Sequence, residues 1–285
     1  MADKGSRRQR TGGAIIPAST TRGSAIAAPP PAVATTSIEA PPKSRNVADS
    51  AAAPRLDVHI TLVCGGLTNV KAPIVVGARY DGLGFAGPTK AFDRSLDSWL
   101  TRAVDLGIVG SALGQLFPIE LAQFHKAGKL NAHTLLLAGM GEPGRLAQDS
   151  VRFIFSNIIV MIKTMGENEF ASSLLGTRRN ELPINEAVRG FVQGIGDGYE
   201  RIKAIAEQVT EDKEILRTVV AQPLAVTLAH LDAQKLDLIR TELEGLVNDR
   251  SFVALKLTIT RGEDVPPDPK DEPNPVDVEP DVPIT

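Results

Sequence analysis

The sequence predicts an α/β fold: a sheet with helices over both of its faces. Three observations lead there. Short β-branched apolar runs alternate with longer segments whose apolar residues recur at helical spacing. Several runs are apolar throughout, as strands buried on both sides require. Glycine-containing loops join the two kinds of segment.

The elements follow in order. LDVHITLVC, residues 56–64, sets Val58, Ile60 and Leu62 on one face at period two. PIVVGAR, 73–79, is a short buried strand. DRSLDSWLTRAVDLG carries Leu96, Trp99, Leu100 and Ala103 at helical spacing and predicts one helix. TLLLAG, 134–139, is a second buried strand, and 148–165 is a long helix apolar on more than one side. SSLLG predicts a further strand and 185–209 a helix. LAVTLAHL, 224–231, reads as a strand and 233–247 as a helix. SFVALKLTIT, 251–260, closes the domain as a strand.

Residues 55–262 are thus expected to form one α/β domain. With 42% hydrophobic residues over 285 positions, the chain can bury a sizeable core. The flanks differ in composition. Residues 1–54 hold seven Lys/Arg against three Asp/Glu and are rich in Ala, Ser, Thr and Pro. They lack apolar periodicity and predict a disordered basic arm. Residues 263–285 hold one Lys against eight acids, interleaved with proline, and predict an extended, disordered acidic tail. A basic arm on one copy meeting the acidic tail of another is one route to a homo-oligomer, and it would weaken with salt.

The single cysteine, Cys64, allows neither an intrachain disulfide nor a multi-cysteine zinc site, which favours a reducing cytoplasm. The basic start has no continuous apolar region after it, so no secretory signal is expected. The longest apolar runs are about half the ~20 residues that a bilayer crossing needs.

Two glycine loops could carry function. In HTLLLAGMGEPGRLAQDSVRFIF, Gly139, Gly141 and Gly144 spell G-x-G-x-x-G between a strand and a helix. A dinucleotide site needs open helix-terminal N–H groups and an acid about 20 residues on. Glu142 would repel a phosphate, Pro143 lacks an N–H, and the run NIIVMIK supplies no acid. The preferred reading is a strand-to-helix turn. The second loop, YDGLGFAGPTKAFD, carries Gly82, Gly84 and Gly87 after PIVVGAR. If the two preceding strands are parallel neighbours, both loops share a rim and form one pocket for an anionic group or a peptide.

The order of PIVVGAR, the YDG loop, the helix AFDRSLDSWL, TLLLAGMGEPGRL, a long helix and INEAVRGFVQGIGDGYERI resembles the N-terminal domain of leucyl aminopeptidases. That resemblance implies a three-layer, macro-like mixed sheet flanked by helices. VHITLVCGGLTNVKAPIVVGARYDGLGFAGPTKAFDRSL is similar to a variant of this module found beside caspase-like CHAT protease domains in bacterial proteins of presumed defence systems. There a His-Tyr follows the strand glycine, where this chain has Ala78-Arg79-Tyr80. A G-A-E ends the loop, where this chain has Ala86-Gly87-Pro88. The aminopeptidase family's two-metal domain, with its N-T-D-A-E-G-R segment, has no counterpart in this chain.

Other chemistry is thinner. Cys64 could be a nucleophile with His59 or His125, yet it ends an apolar strand, as a packed thiol does. His59, His125, His133 and His230 are scattered and lack metal-site spacing. The acid pairs Glu167/Glu169 and Glu211/Asp212 fit helix starts or loops. Arg178-Arg179 fits a solvated turn, and the Arg7–Arg10 cluster lacks the interleaved aromatics of a nucleic-acid surface. The reading is therefore a non-catalytic cytoplasmic adaptor without cofactor or metal. It would serve a bacterial CHAT-type defence or signalling system and bind a protein partner or small anionic ligand through Asp81, Gly82, Gly84, Gly87, Gly139, Gly141 and Gly144. One alternative is a nucleotide- or ADP-ribose-binding macro-type domain with Asp81 as its acid. Another is a structural oligomerisation subunit.

Overall fold

A computed structural model describes residues 55–124, 130–177, 181–209, 213–252, 254–265 and 267. Both predicted arms, apart from the first residues of the acidic tail, lie outside that set, as do His125, Arg178-Arg179 and Glu211/Asp212.

Among the described residues, seven strands form one sheet: β1 Leu56–Cys64, β2 Ile74–Arg79, β3 Leu116–Glu120, β4 Thr134–Gly139, β5 Glu169–Ser172, β6 Leu224–His230 and β7 Leu255–Arg261. Their spatial order is β3-β4-β2-β5-β6-β1-β7. Every pairing is parallel except β3 with β4. The helices are α1 Gly87–Ser95, α2 Trp99–Asp105, α3 Gln148–Thr164, α4 Ile184–Gln208, α5 Lys213–Ala221 and α6 Ala233–Leu246. This is the expected mixed α/β sheet with helical layers.

Each face has its own core. Val58, Ile60, Leu62, Val226 and Leu257 pack against α3, α4 and α6. On the other face Val75, Leu135, Leu137 and Ala171 pack against α1 and α2. Burying each of these Val, Ile and Leu side chains contributes about 1.5–3 kcal/mol. The second helical layer stops short of β7. There Glu169, His59, Lys256, Thr258 and Thr260 stay exposed on an open stretch of sheet.

Five segments differ from expectation. The predicted helix through Leu96, Trp99, Leu100 and Ala103 is two helices, broken where Asp97 and Ser98 take positive φ (53° and 58°). The Asp93 carboxylate holds the break: it accepts from the Thr101 N–H (3.1 Å) and hydroxyl (2.6 Å), capping α2 from α1. The strand expected at SSLLG is instead β5, EFAS, just before it, and Ser173–Gly176 turn away from the sheet. The last strand begins at Leu255, after a 3-10 turn at Arg250–Phe252. The antiparallel β3, LFPIE, and α5 had no clear sequence signal.

The chain stays bonded to β1 beyond residue 262. The Gly262 N–H donates to the Leu62 carbonyl and the Val265 N–H to the Cys64 carbonyl, both at 2.9 Å. A Cβ on Gly65 would lie 2.0 Å from the Val265 carbonyl oxygen, so only glycine allows this approach.

Candidate functional site

The parallel strands β2 and β5 are neighbours, but their connections diverge. β2 leads to α1 on one face and β5 leads to α4 on the other. In open α/β sheets such a switch point leaves a crevice outside the carboxyl ends of the strands. This chain has one there, in two lobes of about 110 and 250 Å³. Pro88, Ser173 and Leu174 line both lobes. The first lobe has apolar walls from Val76, Leu83 and Met140, with Tyr80 and Glu181 as polar groups. The Tyr80 hydroxyl donates to a Glu181 carboxylate oxygen. The second lobe lies over Gly65, Gly66 and Leu67, with Thr177, His230, Asp232 and Lys235 at its rim.

β2 and β4 are parallel neighbours, as the shared-rim expectation requires. Their loops are stitched together: the Asp81 N–H donates to the Gly141 carbonyl and the Met140 N–H to the Arg79 carbonyl, both at 2.8 Å. The predicted residues nevertheless separate into two groups. Gly84 lines the first lobe and Gly87 the second. Asp81, Gly82, Gly139, Gly141 and Gly144 line neither. The Asp81 carboxylate accepts from the Gly82 N–H (3.1 Å) and the Ser111 hydroxyl (2.7 Å), so it braces its own loop. Gly139 gives its N–H to the Gln115 carbonyl (2.8 Å), and Gly141 gives its own to Ser111 (2.9 Å). A Cβ on Gly139 would lie 2.2 Å from the Ala112 carbonyl oxygen. The first two glycines of G-x-G-x-x-G thus accommodate the segment 111–115, and their amides are consumed there. Gly144 turns the chain at φ +77° on the surface, beside the exposed Glu142–Arg145 ion pair (2.9 Å).

No protein-family model and no curated protein sequence matches this chain. Among solved structures it is similar to a Trypanosoma brucei macrodomain in complex with ADP-ribose, at 16% identity and TM-score 0.47, covering 67% of this chain and 69% of that one. The same macrodomain in complex with ADP gives 16% identity and TM-score 0.47 over 65% and 69%. An Oceanobacillus iheyensis macrodomain with ADP gives 13% and 0.46 over 65% and 90%. The ligands belong to those proteins; the crevice here has its own polar atoms.

Those atoms treat two helix N-termini differently. Asp232 caps α6, accepting from the N–H groups of Gln234 (2.9 Å) and Lys235 (3.2 Å). The Lys235 and Gln234 backbone bonds hold its carboxyl below the ordinary range, with the nearby His230 and Lys235 charges acting the same way. The Lys235 side chain donates to the Thr177 carbonyl (3.2 Å), tying α6 to the loop after β5. At α1 the cap position is Ala86, which has no side-chain acceptor, and α1 opens beside the crevice. Pro88 has no N–H, so the first turn offers its dipole and the N–H groups of Gly87 and Thr89, with no acid of its own; the Glu181 carboxylate, which accepts from Tyr80, lines the same lobe.

The sequence reading missed the loop after β5, which supplies Ser173, Leu174, Thr177 and Glu181, and the Gly65-Gly66 turn after β1. A double glycine directly after a strand was the available signal. Cys64 donates its thiol to the Leu231 carbonyl (3.7 Å), and its register neighbour on β6 is His230. His59 lies on the open face of the sheet, so the proposed Cys64–His59 pair does not form. Among the described residues no three His, Cys, Asp or Glu side chains converge, and no helix is long and apolar enough to cross a membrane.

Proposed function

We propose that this chain is a ligand-binding module rather than a catalyst, and that the crevice takes a small molecule bearing an anionic group, of the nucleotide or ADP-ribose class. One observation carries the reading: the N-terminus of α1, uncapped at Ala86, opens onto a largely apolar crevice at the switch point. The apolar first lobe suits a flat or hydrocarbon portion of the ligand, and the α1 turn suits its anion. A concave site of this kind fits a small molecule better than the face of a protein partner, so ligand binding stands ahead of the adaptor role.

The test is titration of the full chain with ADP-ribose, ADP and inorganic phosphate, followed by thermal unfolding. Saturation at 100 times Kd adds about 2.7 kcal/mol of stability. Ala86→Asp separates binding from folding. The carboxylate caps α1 and is expected to raise basal stability by about 1 kcal/mol, while its charge occupies the anion's place and removes the ligand-induced shift. An Ala86→Asp protein that still shifts as the parent does would place the anion elsewhere. No shift with any of the three probes would rule out the ligand class.

A further inference from the structure

The sheet has two edges, β3 and β7, and they are built differently. On β3 the Gly139 N–H donates to the Gln115 carbonyl and the Leu121 N–H to the His133 carbonyl. With the register Leu116↔Ala138, the alternation turns the backbone groups of Leu116, Pro118 and Glu120 outward. Pro118 sits mid-edge at an outward position and has no N–H to offer. This edge is blunted against further strands.

β7 carries Lys256 and Arg261 but no proline. The Leu56 N–H donates to the Ala254 carbonyl and the Gly262 N–H to the Leu62 carbonyl. In the parallel register Leu56↔Leu255 to Leu62↔Arg261, this turns the backbone groups of Lys256, Thr258 and Thr260 toward β1. Those of Leu255, Leu257, Ile259 and Arg261 point outward. That is a seven-residue edge without proline.

We infer that β7 is the interface for a second copy of this chain, pairing antiparallel about Thr258 to join two seven-stranded sheets into one. The edge is complementary to itself, as a two-fold interface demands. Antiparallel pairing centred on Thr258 sets Leu257 opposite the partner's Ile259, and both residues have outward-facing N–H and C=O groups to exchange. Thr258 meets the partner's Thr258, Lys256 meets the partner's Thr260, and Leu255 meets the partner's Arg261. No like charges stand opposite one another. Leu255 and Leu257 are buried on the helix-covered face, while Ile259 on the same face is only half-buried. A second strand would cover it. On the other face Lys256, Thr258 and Thr260 are exposed where the second helical layer stops short, so among the described residues nothing there obstructs a partner.

Sedimentation of the full chain over a concentration series tests this. The parent is expected to show a reversible monomer–dimer equilibrium. Thr258→Asp and Thr258→Lys each place like charges directly opposite in the dimer and are expected to weaken association about tenfold or more. An equimolar mixture of the two variants should restore the dimer, because the opposed charges are then opposite in sign. Thr258 is exposed, so the thermal unfolding of each variant should stay close to the parent's. A parent that is monomeric at all concentrations, variants that dimerise as the parent does, or a mixture that fails to recover would each overturn the assignment.

Discussion

Gly194→Ala is expected to destabilise the domain by about 3 kcal/mol, although it places a good helix former in a helix. α4 lies against α3 along Gly190, Gly194 and Gly198, four residues apart. At Gly194 an added Cβ would sit 2.6 Å from the Arg152 carbonyl oxygen and 2.7 Å from the Phe155 Cβ. Backbone cannot yield as a flexible side-chain tip can, so the helices must separate. The contacts they would lose include the edge-to-face pair Phe155–Phe191 (centroids 4.8 Å apart) and the two-bond Arg152–Asp197 pair (2.5 and 3.0 Å). Gly196, two residues on, is the control. The nearest atom to its added Cβ is the Leu255 Cδ1 at 3.7 Å, an ordinary contact. Gly196→Ala should therefore stabilise by about 0.5–1 kcal/mol. Urea or thermal unfolding of both variants decides the matter, and equal effects of one sign would discard the close-packing account.

Lys163→Met is expected to cost about 3 kcal/mol despite matching the apolar stem. Lys163 is only 1% exposed. Its Nζ donates to the Asn168 side-chain carbonyl, to the Val219 carbonyl (3.1 Å) and to the Gln222 carbonyl (3.0 Å). The ammonium thus ties the end of α3 to the turn before β5 and to the last turn of α5. Removing it orphans three acceptors in two segments at once. The same burial pushes the Lys163 pKa down to about 8. The sign follows from linkage. Between pH 8 and the unfolded value near 10.5, the unfolded chain holds the proton and the folded chain gives it up. Stability from this group therefore rises with pH across that window and is flat below it. The stability difference between the parent and Lys163→Met should climb from pH 8 to 10.5, by an amount on the order of 3 kcal/mol. A difference that stays flat there would mean that the three acceptors keep the ammonium charged in both states.

Strands buried on both faces were legible because their apolar runs leave no other place for them, as in IVVGAR and TLLLAG. The edge strand LFPIE was not, since a proline and a short length remove both signals that mark a strand. The helix break at Asp97-Ser98 was hidden because Leu96, Leu100 and Ala103 keep their helical spacing across it and all three are buried. What holds the break is a side chain, Asp93, reaching forward to Thr101, a contact that no periodicity encodes. The site was half legible for a related reason. That the two glycine loops are neighbours followed from strand order. Which glycines line the crevice depended on segment 111–115 packing onto Gly139 and Gly141, which no local pattern announces. Two glycines with the same sequence signature thus had opposite fates: Gly84 lines the crevice, and Gly139 accommodates another part of the chain.

The place of β1 in the sheet has a consequence for how the protein is made. It is the first strand of the domain, yet its neighbours are β6 and β7, and Leu56 pairs with Leu255. On a ribosome adding roughly 5–20 residues per second, that strand waits on the order of 10–40 s for its partners to be synthesised. Through that interval Val58, Ile60 and Leu62 have no sheet to enter. The domain cannot close vectorially from its N-terminus, and β1 gains its outer neighbour only once β7 has been made.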